Sequence, residues 1–393
     1  MTLSAVRSML PALSAAEAQH SAAVSELIRR RIRAAGGVLS FEKFMDAALY
    51  APGLGYYSAG SIKIGAGGDF VTAPEVSELF GRCAARQCAQ ILAQTGGDIL
   101  EIGAGTGRLA ATLLEALALS GPLPERYAIL EVSADLAERQ RARLQALPVS
   151  LRDRIVWLDT LPATPLHGVI LANEVLDALP FSRVTIHEGG MRELGVSLAG
   201  ETIVECEMPP SPSLAYGWEA LARALPETLP EGYRSEVCLR LEPWIAGLGA
   251  CLERGVLLLF DYGLPRAHYY HPQRVDGTLR CHFKHLAHDD PFVNAGVQDI
   301  TAWVDFTRVA EAAIAADLDV LGFVTQAAFL LATGIEELAA GARGTVEQAR
   351  RAGEARRLLM PGEMGEAFKA IALGKGFDCA LSGFSLQDLR RSL

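Results

Sequence analysis

No cysteine pair in this 393-residue chain has the Cys-x-x-Cys spacing. The seven cysteines, Cys83, Cys88, Cys206, Cys238, Cys251, Cys281 and Cys379, are scattered. That argues against a zinc ribbon or a thioredoxin-type redox pair, and free thiols in a reducing compartment are expected. Long apolar runs are missing too. None reaches the roughly 20 residues that cross a bilayer, so no membrane span is expected. Lysine is scarce: Lys43, Lys63, Lys284, Lys369 and Lys375 are the only ones, and the formal net charge is −10. A chain without a basic excess is a poor candidate for nucleic-acid backbone. The start, "MTLSAVRSMLPALSAAEAQ", has no charged head followed by a sustained apolar core. A secretory signal is therefore not expected. The segment is at best a poor organelle address and reads as a disordered lead-in to a helix.

What is present is apolar residue, 50% of the chain, enough for a substantial core. The length implies more than one domain or one domain with large insertions. Residues 15–35 read as an amphipathic helix. "FEKFMDAALYAPGLGYYS" continues as a helix and breaks at Pro52, Gly53 and Gly55. A Gly-rich loop, "GAGGDFVTAPEVSELFG", leads into a helix that starts at Pro74-Glu75, with Thr72 as a cap, and runs to about Leu92. Strand and helix then alternate through "DILEIG", "GRLAATLLEALAL", "RYAILEVS", "ADLAERQRARLQAL", "RIVWL" and "GVILANE". That alternation predicts an α/β fold with a parallel, doubly wound sheet. Residues 183–209 alternate around glycine turns and predict antiparallel hairpins. Helical stretches follow to about Glu253. "GVLLLFDYG" returns to the main sheet, which "DLDVLGFVTQ" and "FKAIALGKG" complete.

The stretch "DILEIGAGTGRLAATLLEAL" carries Gly103, Gly105 and Gly107 between a strand and a helix. Glycines let a ligand approach the backbone, and a helix start offers free N–H groups. The spacing is G-x-G-x-G rather than the dinucleotide G-x-G-x-x-G, which argues mildly against NAD or FAD. S-adenosylmethionine (SAM) fits better. It has no phosphate, and its carboxylate suits the amides while Glu101 balances its ammonium or a nearby cation. Glu131, ending the next strand, can accept both ribose hydroxyls, and Asp159 after "RIVWL" can meet the adenine edge. A glycine turn with no ligand is the plainer alternative.

"GVILANE" ends in "NEVLDALPFSR". Ligands bind at the carboxyl ends of strands in such sheets, which puts Asn173, Glu174 and Asp177 beside the reactive end of the cofactor. One helical turn between Glu174 and Asp177 would put both carboxylates on one side. Two carboxylates suit a planar guanidinium. They draw its charge toward two nitrogens and leave the third more able to attack a sulfonium methyl. Capping of a following helix is the alternative for both. "RCHFKHLAHDDPF" holds His282, His285 and His288, read as a substrate or lid loop with no metal, His285 being a candidate proton acceptor. Tyr262 in "DYG" is a candidate stacking partner for the acceptor or a rim aromatic. Tyr56 and Tyr57 either close the pocket or anchor the N-terminal loop.

The segments "APGLGYYS", "GDFVTAPEVSELFG", "LEIGAGTGRLA", "LANEVLDALPF", "DYG", "GTLRCHFKH" and "QDITAWVDF" occur in the same order in the MidA-type SAM-dependent methyltransferases, which the chain resembles from about Phe41 to beyond Phe329. This is the family of the mitochondrial complex I assembly methyltransferase. The resemblance implies a class I methyltransferase fold, Rossmann-like, with a seven-stranded mostly parallel sheet, an N-terminal extension, and inserted hairpins and helices. It implies that Gly103, Gly105, Gly107 and Glu131 bind SAM, that the "GDFVTAPE" loop with Thr72 and Glu75 covers it, and that "NEVLD" faces the acceptor. Trp303 stands where the resemblance leads one to expect His. The divisions expected are 1–75, an extension and covering loop; 76–182, the first part of the core; 183–254, an inserted substrate region; and 255–393, the rest of the core, with a helical insertion at about 327–360. The implied activity is methylation of an arginine in a protein, with a peripheral-arm subunit of complex I as partner. The alternatives are another nitrogen or oxygen acceptor, a SAM-binding assembly factor with little catalysis, and an NAD oxidoreductase. The location expected is bacterial cytoplasm, or the mitochondrial matrix if the source is eukaryotic. The oligomeric state is left open, a dimer included.

Overall fold

A computed structural model describes residues 10–59, 71–341 and 344–393. The chain divides into two compact units. One comprises the described residues up to 59 with Asp177–Leu241 and Arg266–Trp303. The other comprises Val71–Leu176, Glu242–Pro265 and Val304–Leu393. Residues 266–303, grouped by the sequence reading with the rest of the core, fall in the first unit.

The second unit is built on one sheet: β1 (Asp98–Ile102), β2 (Tyr127–Leu130), β3 (Ile155–Leu158), β4 (Leu166–Asn173), β5 (Leu252–Leu264), β6 (Val304–Asp305), β7 (Asp319–Thr325) and β8 (Phe368–Lys375). Its order is β7-β8-β5-β4-β1-β2-β3, with the short β6 beside β5. The pairs from β3 through β5 are parallel, and β8 is antiparallel to both β5 and β7. All five residues of β1 are buried, as a strand covered by helices on both faces requires. Helices Glu78–Thr95 and Arg108–Ser120 contribute Phe80, Leu109 and Leu113 to the core. Phe260 of β5 lies edge-on between Phe80 and Phe329, with centroids 5.1 and 4.9 Å away. Such contacts add to the burial of each ring. The single helix expected from Pro74 to about Leu92 is two: Ala73–Val76 and Glu78–Thr95. Ser77 between them is extended (φ −159°, ψ 146°), and its hydroxyl accepts from Leu79 N–H. A serine that caps a new helix competes with continuation of the old one.

In the first unit, helix Ala15–Ala34 opens with a capping box: Ser14 and Glu17 exchange backbone-to-side-chain hydrogen bonds. An antiparallel sheet runs Val38–Ser40, Gly190–Ala199, Ser182–His187, Arg234–Val237, with Thr202–Met208 on the free side of Gly190–Ala199. Arg234–Val237, within the stretch expected to be helical, is a strand. Phe41, Phe44, Phe181 and Phe292 pack together. A three-stranded sheet, Leu286–His288, Arg280–Phe283 and Asp299–Thr301, completes the unit.

Candidate functional site

The order β3-β2-β1-β4-β5 reverses direction between β1 and β4, and α/β sheets bind ligands at the carboxyl ends flanking such a point. Both adjacent ends carry special backbone. After β1, Gly103, Gly105 and Gly107 all have left-handed φ, +67°, +53° and +79°. Gly103 N–H is tied to Leu130 O of β2 at 2.9 Å. The amides of Ala104, Gly105 and Thr106 have no acceptor among the described residues. Helix Arg108–Ser120 starts on Gly107 without a side-chain cap. Exposed amides at a helix start favour an anion. The Thr106 hydroxyl donates to Glu75 Oε1, and Arg108 Nη1 stands 3.6 Å from Glu75 Oε2. Glu75 is thus moored to the glycine turn. Thr72 precedes helix Ala73–Val76 without making a side-chain cap bond. Gly68, Asp69 and Phe70 of the expected covering loop lie outside the described residues.

Two acids flank the turn. Glu101 is buried in β1 and its Oε2 accepts from Tyr127 Oη at 2.7 Å. Burial raises its pKa to about 7, against the Tyr127 hydrogen bond. Glu131, just past β2, accepts from Ser133 N–H and from Gln140 Nε2, each at 2.9 Å. Nothing in the sequence pattern singles out Gln140. The same Nε2 donates to Gly105 O at 3.0 Å, and its Oε1 accepts from Trp157 Nε1 at 3.0 Å. One fully buried amide therefore joins the glycine turn, the acid after β2 and β3. Asp159 follows β3 and is exposed.

After β4, the expected helical turn from Glu174 to Asp177 does not form. Glu174 is itself left-handed (φ +55°). Its amide donates to Phe260 O at 2.8 Å, and its Oε1 accepts from Asn173 Nδ2 at 2.9 Å and Ala73 N–H at 3.1 Å. The amides of Val175 and Leu176 donate to Asp261 Oδ2 at 3.1 and 2.9 Å. A left-handed residue at 174 breaks the helical path, and Asp261 holds the amides that follow it in a turn. Asn173 Oδ1 is buried with no partner among the described residues. Asp177 lies in the first unit, buried, and its carbonyl accepts from Ala302 N–H at 3.1 Å.

The histidine loop is a hairpin instead. His282 and His288 stand in its two strands, and His285 is exposed at the turn with Lys284, both with left-handed φ (+64° and +48°). Burial lowers the His282 pKa to about 4, with the neighbouring His288 and Arg280 acting the same way. Among the described residues no group of three or more His, Cys, Asp and Glu is placed for a metal ion. Tyr262 packs edge-on against Phe368, centroids 5.3 Å apart. Tyr57 donates to Asp299 Oδ1 at 2.9 Å and stacks on Tyr50, and Tyr56 is buried. Trp303 carries the Arg274 guanidinium 5.0 Å over its ring.

A mostly parallel sheet of this order, with a glycine turn and an acid at successive strand ends, defines a class I methyltransferase fold. A family model described by S-adenosyl-L-methionine-dependent methyltransferase activity, Methyltransf_28, matches residues 83–324. The chain belongs to that family. It is 40% identical to a COG1565 superfamily member from Burkholderia thailandensis whose crystal structure is bound to S-adenosyl-homocysteine, with a TM-score of 0.91 over 98% of this chain and 100% of that one. It is 28% identical to the mitochondrial protein arginine methyltransferase NDUFAF7 of Danio rerio over 86% of this chain and 84% of that protein. The Homo sapiens protein of the same name is 27% identical over 86% of this chain and 80% of its own length. This protein is a SAM-dependent methyltransferase. The residues present suit the cofactor: three left-handed glycines, three amides without acceptors among the described residues, and an acid at the end of β2.

Proposed function

We propose that the chain methylates an arginine side chain of a protein, and that Glu174 is the carboxylate that receives the guanidinium. Bound SAM supplies an electrophilic sulfonium methyl. The amides of residues 104–106 take its carboxylate, with Gly103, Gly105 and Gly107 giving the room. Glu131, at the end of the strand beside the glycine turn, takes the ribose hydroxyls. Glu101 and Asp159 keep their roles toward the ammonium side and the adenine edge, and Thr72 and Glu75 toward covering the cofactor.

The observation that carries the reading is the left-handed Glu174 at the end of β4, next to the strand that bears the glycine turn. Its carboxylate draws guanidinium charge toward the nitrogens it holds and leaves another nitrogen free for in-line attack. Asn173 Oδ1 offers a second acceptor for an acceptor N–H. The names of the relatives support arginine as the acceptor. By side-chain chemistry alone, Asp177 is proposed as a second carboxylate and His285 as a proton acceptor. A peripheral-arm subunit of respiratory complex I is the acceptor we place first. The bacterial cytoplasm, or the mitochondrial matrix in a eukaryote, is the matching location.

The test is methyl transfer from labelled SAM into a lysate of cells lacking the protein, followed by mass spectrometry of labelled bands and of the respiratory complex. Methylarginine in a protein is the expected product. Label only in a soluble small molecule would replace the acceptor, and SAM binding with no transfer at all would make the chain a binding module.

A further inference from the structure

We propose that Asp261 is a positioning residue for methyl transfer: its carboxylate holds the turn after β4 in the left-handed form that presents Glu174. The proposal rests on the reading of Glu174 given above. Asp261 is fully buried near the end of β5. Its Oδ2 accepts from two consecutive amides, Val175 and Leu176, and its Oδ1 accepts from Tyr262 N–H at 2.9 Å. Successive amides that converge on one anion form a nest, here filled by the protein's own carboxylate. The residue before it, Phe260, accepts from the Glu174 amide. Two neighbouring residues of β5 thus pin three consecutive amides, 174 to 176. Glutamate seldom adopts left-handed φ, so the conformation needs such an outside hold. A fully buried side chain that holds these amides acts through Glu174 and not on the acceptor.

The experiment compares Asp261→Ala, Asp261→Asn, Glu174→Gln and the double variant Glu174→Gln/Asp261→Ala in the full chain. It reads methyl transfer from tritiated SAM, SAM affinity by calorimetry, and amide hydrogen exchange at Val175 and Leu176. Asp261→Ala is expected to slow transfer about 100-fold, the scale of a 1 Å misplacement, with SAM affinity unchanged. Asp261→Asn keeps one acceptor oxygen and falls between. On the Glu174→Gln background, Asp261→Ala should cost less than about threefold more, since both act through one carboxylate. Val175 and Leu176 should exchange faster in Asp261→Ala while the rest of the sheet stays protected. Wild-type transfer in Asp261→Ala, or a full second loss on the Glu174→Gln background, overturns the proposal. Wild-type transfer in Glu174→Gln overturns the reading of Glu174 instead. Unchanged protection at Val175 and Leu176 in Asp261→Ala overturns the anchoring by itself.

Discussion

The hydroxyl of Tyr127 donates to Glu101 Oε2 at 2.7 Å, inside the sheet, one strand away from the glycine turn. Burial outweighs that bond and sets the Glu101 pKa at about 7, against an ordinary value of 4.5. The folded state then holds its proton more tightly than the unfolded chain. Below pH 4.5 both states are protonated and the group contributes nothing. As pH rises toward 7 the unfolded chain ionises first, and stability falls by about 3 kcal/mol before levelling off. Glu101→Gln should abolish that slope and raise the melting temperature at pH 8. Denaturant titrations at pH 5, 6, 7 and 8 read it; an identical slope in the variant would assign the effect to another group.

Gly105→Val should prevent SAM binding. Its φ of +53° is one that a β-branched side chain adopts only with strain. The strain, about 1–2 kcal/mol, falls on the folded turn, and it is the added methyls that crowd the approach to the amides. Calorimetric titration with SAM measures it, and an affinity equal to wild type would move the cofactor off this turn.

Gln140→Leu removes one side chain that bonds Gly105, Glu131 and Trp157. The abandoned Trp157 N–H and Gly105 carbonyl each cost about 1–3 kcal/mol where water cannot reach them. SAM affinity should fall by about tenfold together with the melting temperature. A loss of stability with unaltered SAM affinity would make Gln140 a packing residue only.

Glu174→Gln and Glu174→Gly separate charge from strain. Glutamine keeps the left-handed backbone and loses the charge, so transfer should drop about 100-fold or more while SAM still binds. Glycine removes the charge and also relieves about 1 kcal/mol of backbone strain. It should therefore be inactive, with the relieved strain offset by the lost bonds from Asn173 and Ala73, so that stability stays within about 1 kcal/mol of wild type. Activity in either variant would transfer the role to another group. Asp177→Asn, by the same assay, should keep SAM binding and reduce transfer.

The seven main strands are legible because each carries an apolar run bounded by turn residues, and β1 to β3 alternate with helical periods. The glycine turn was legible for the same reason: three glycines after a buried strand have few other uses. The hairpin at 280–288 was hidden, because its left-handed turn residues are Lys284 and His285 rather than Asn or Gly. Strand Arg234–Val237 is four residues long and has too little alternation to show. The turn after β4 looks helical in the sequence because spacing shows which carboxylates are near along the chain. It does not show that Asp261, 86 residues beyond Val175, claims the amides. Gln140 looked like one polar residue of an amphipathic helix, and its three partners lie on three other segments.

The separation between Val175 and Asp261 also orders events in time. Between them the chain leaves for Asp177–Leu241 before it returns to lay down β5. Closing so long a loop is entropically expensive, and no local contact can substitute for it. On a ribosome, β1 to β4 and the glycine turn are complete well before the anchor for Glu174 has been synthesised. A nascent chain halted before residue 261 contains the glycine turn and Glu174 but not the carboxylate that holds the acidic turn, so the setting of that turn waits on residues made later.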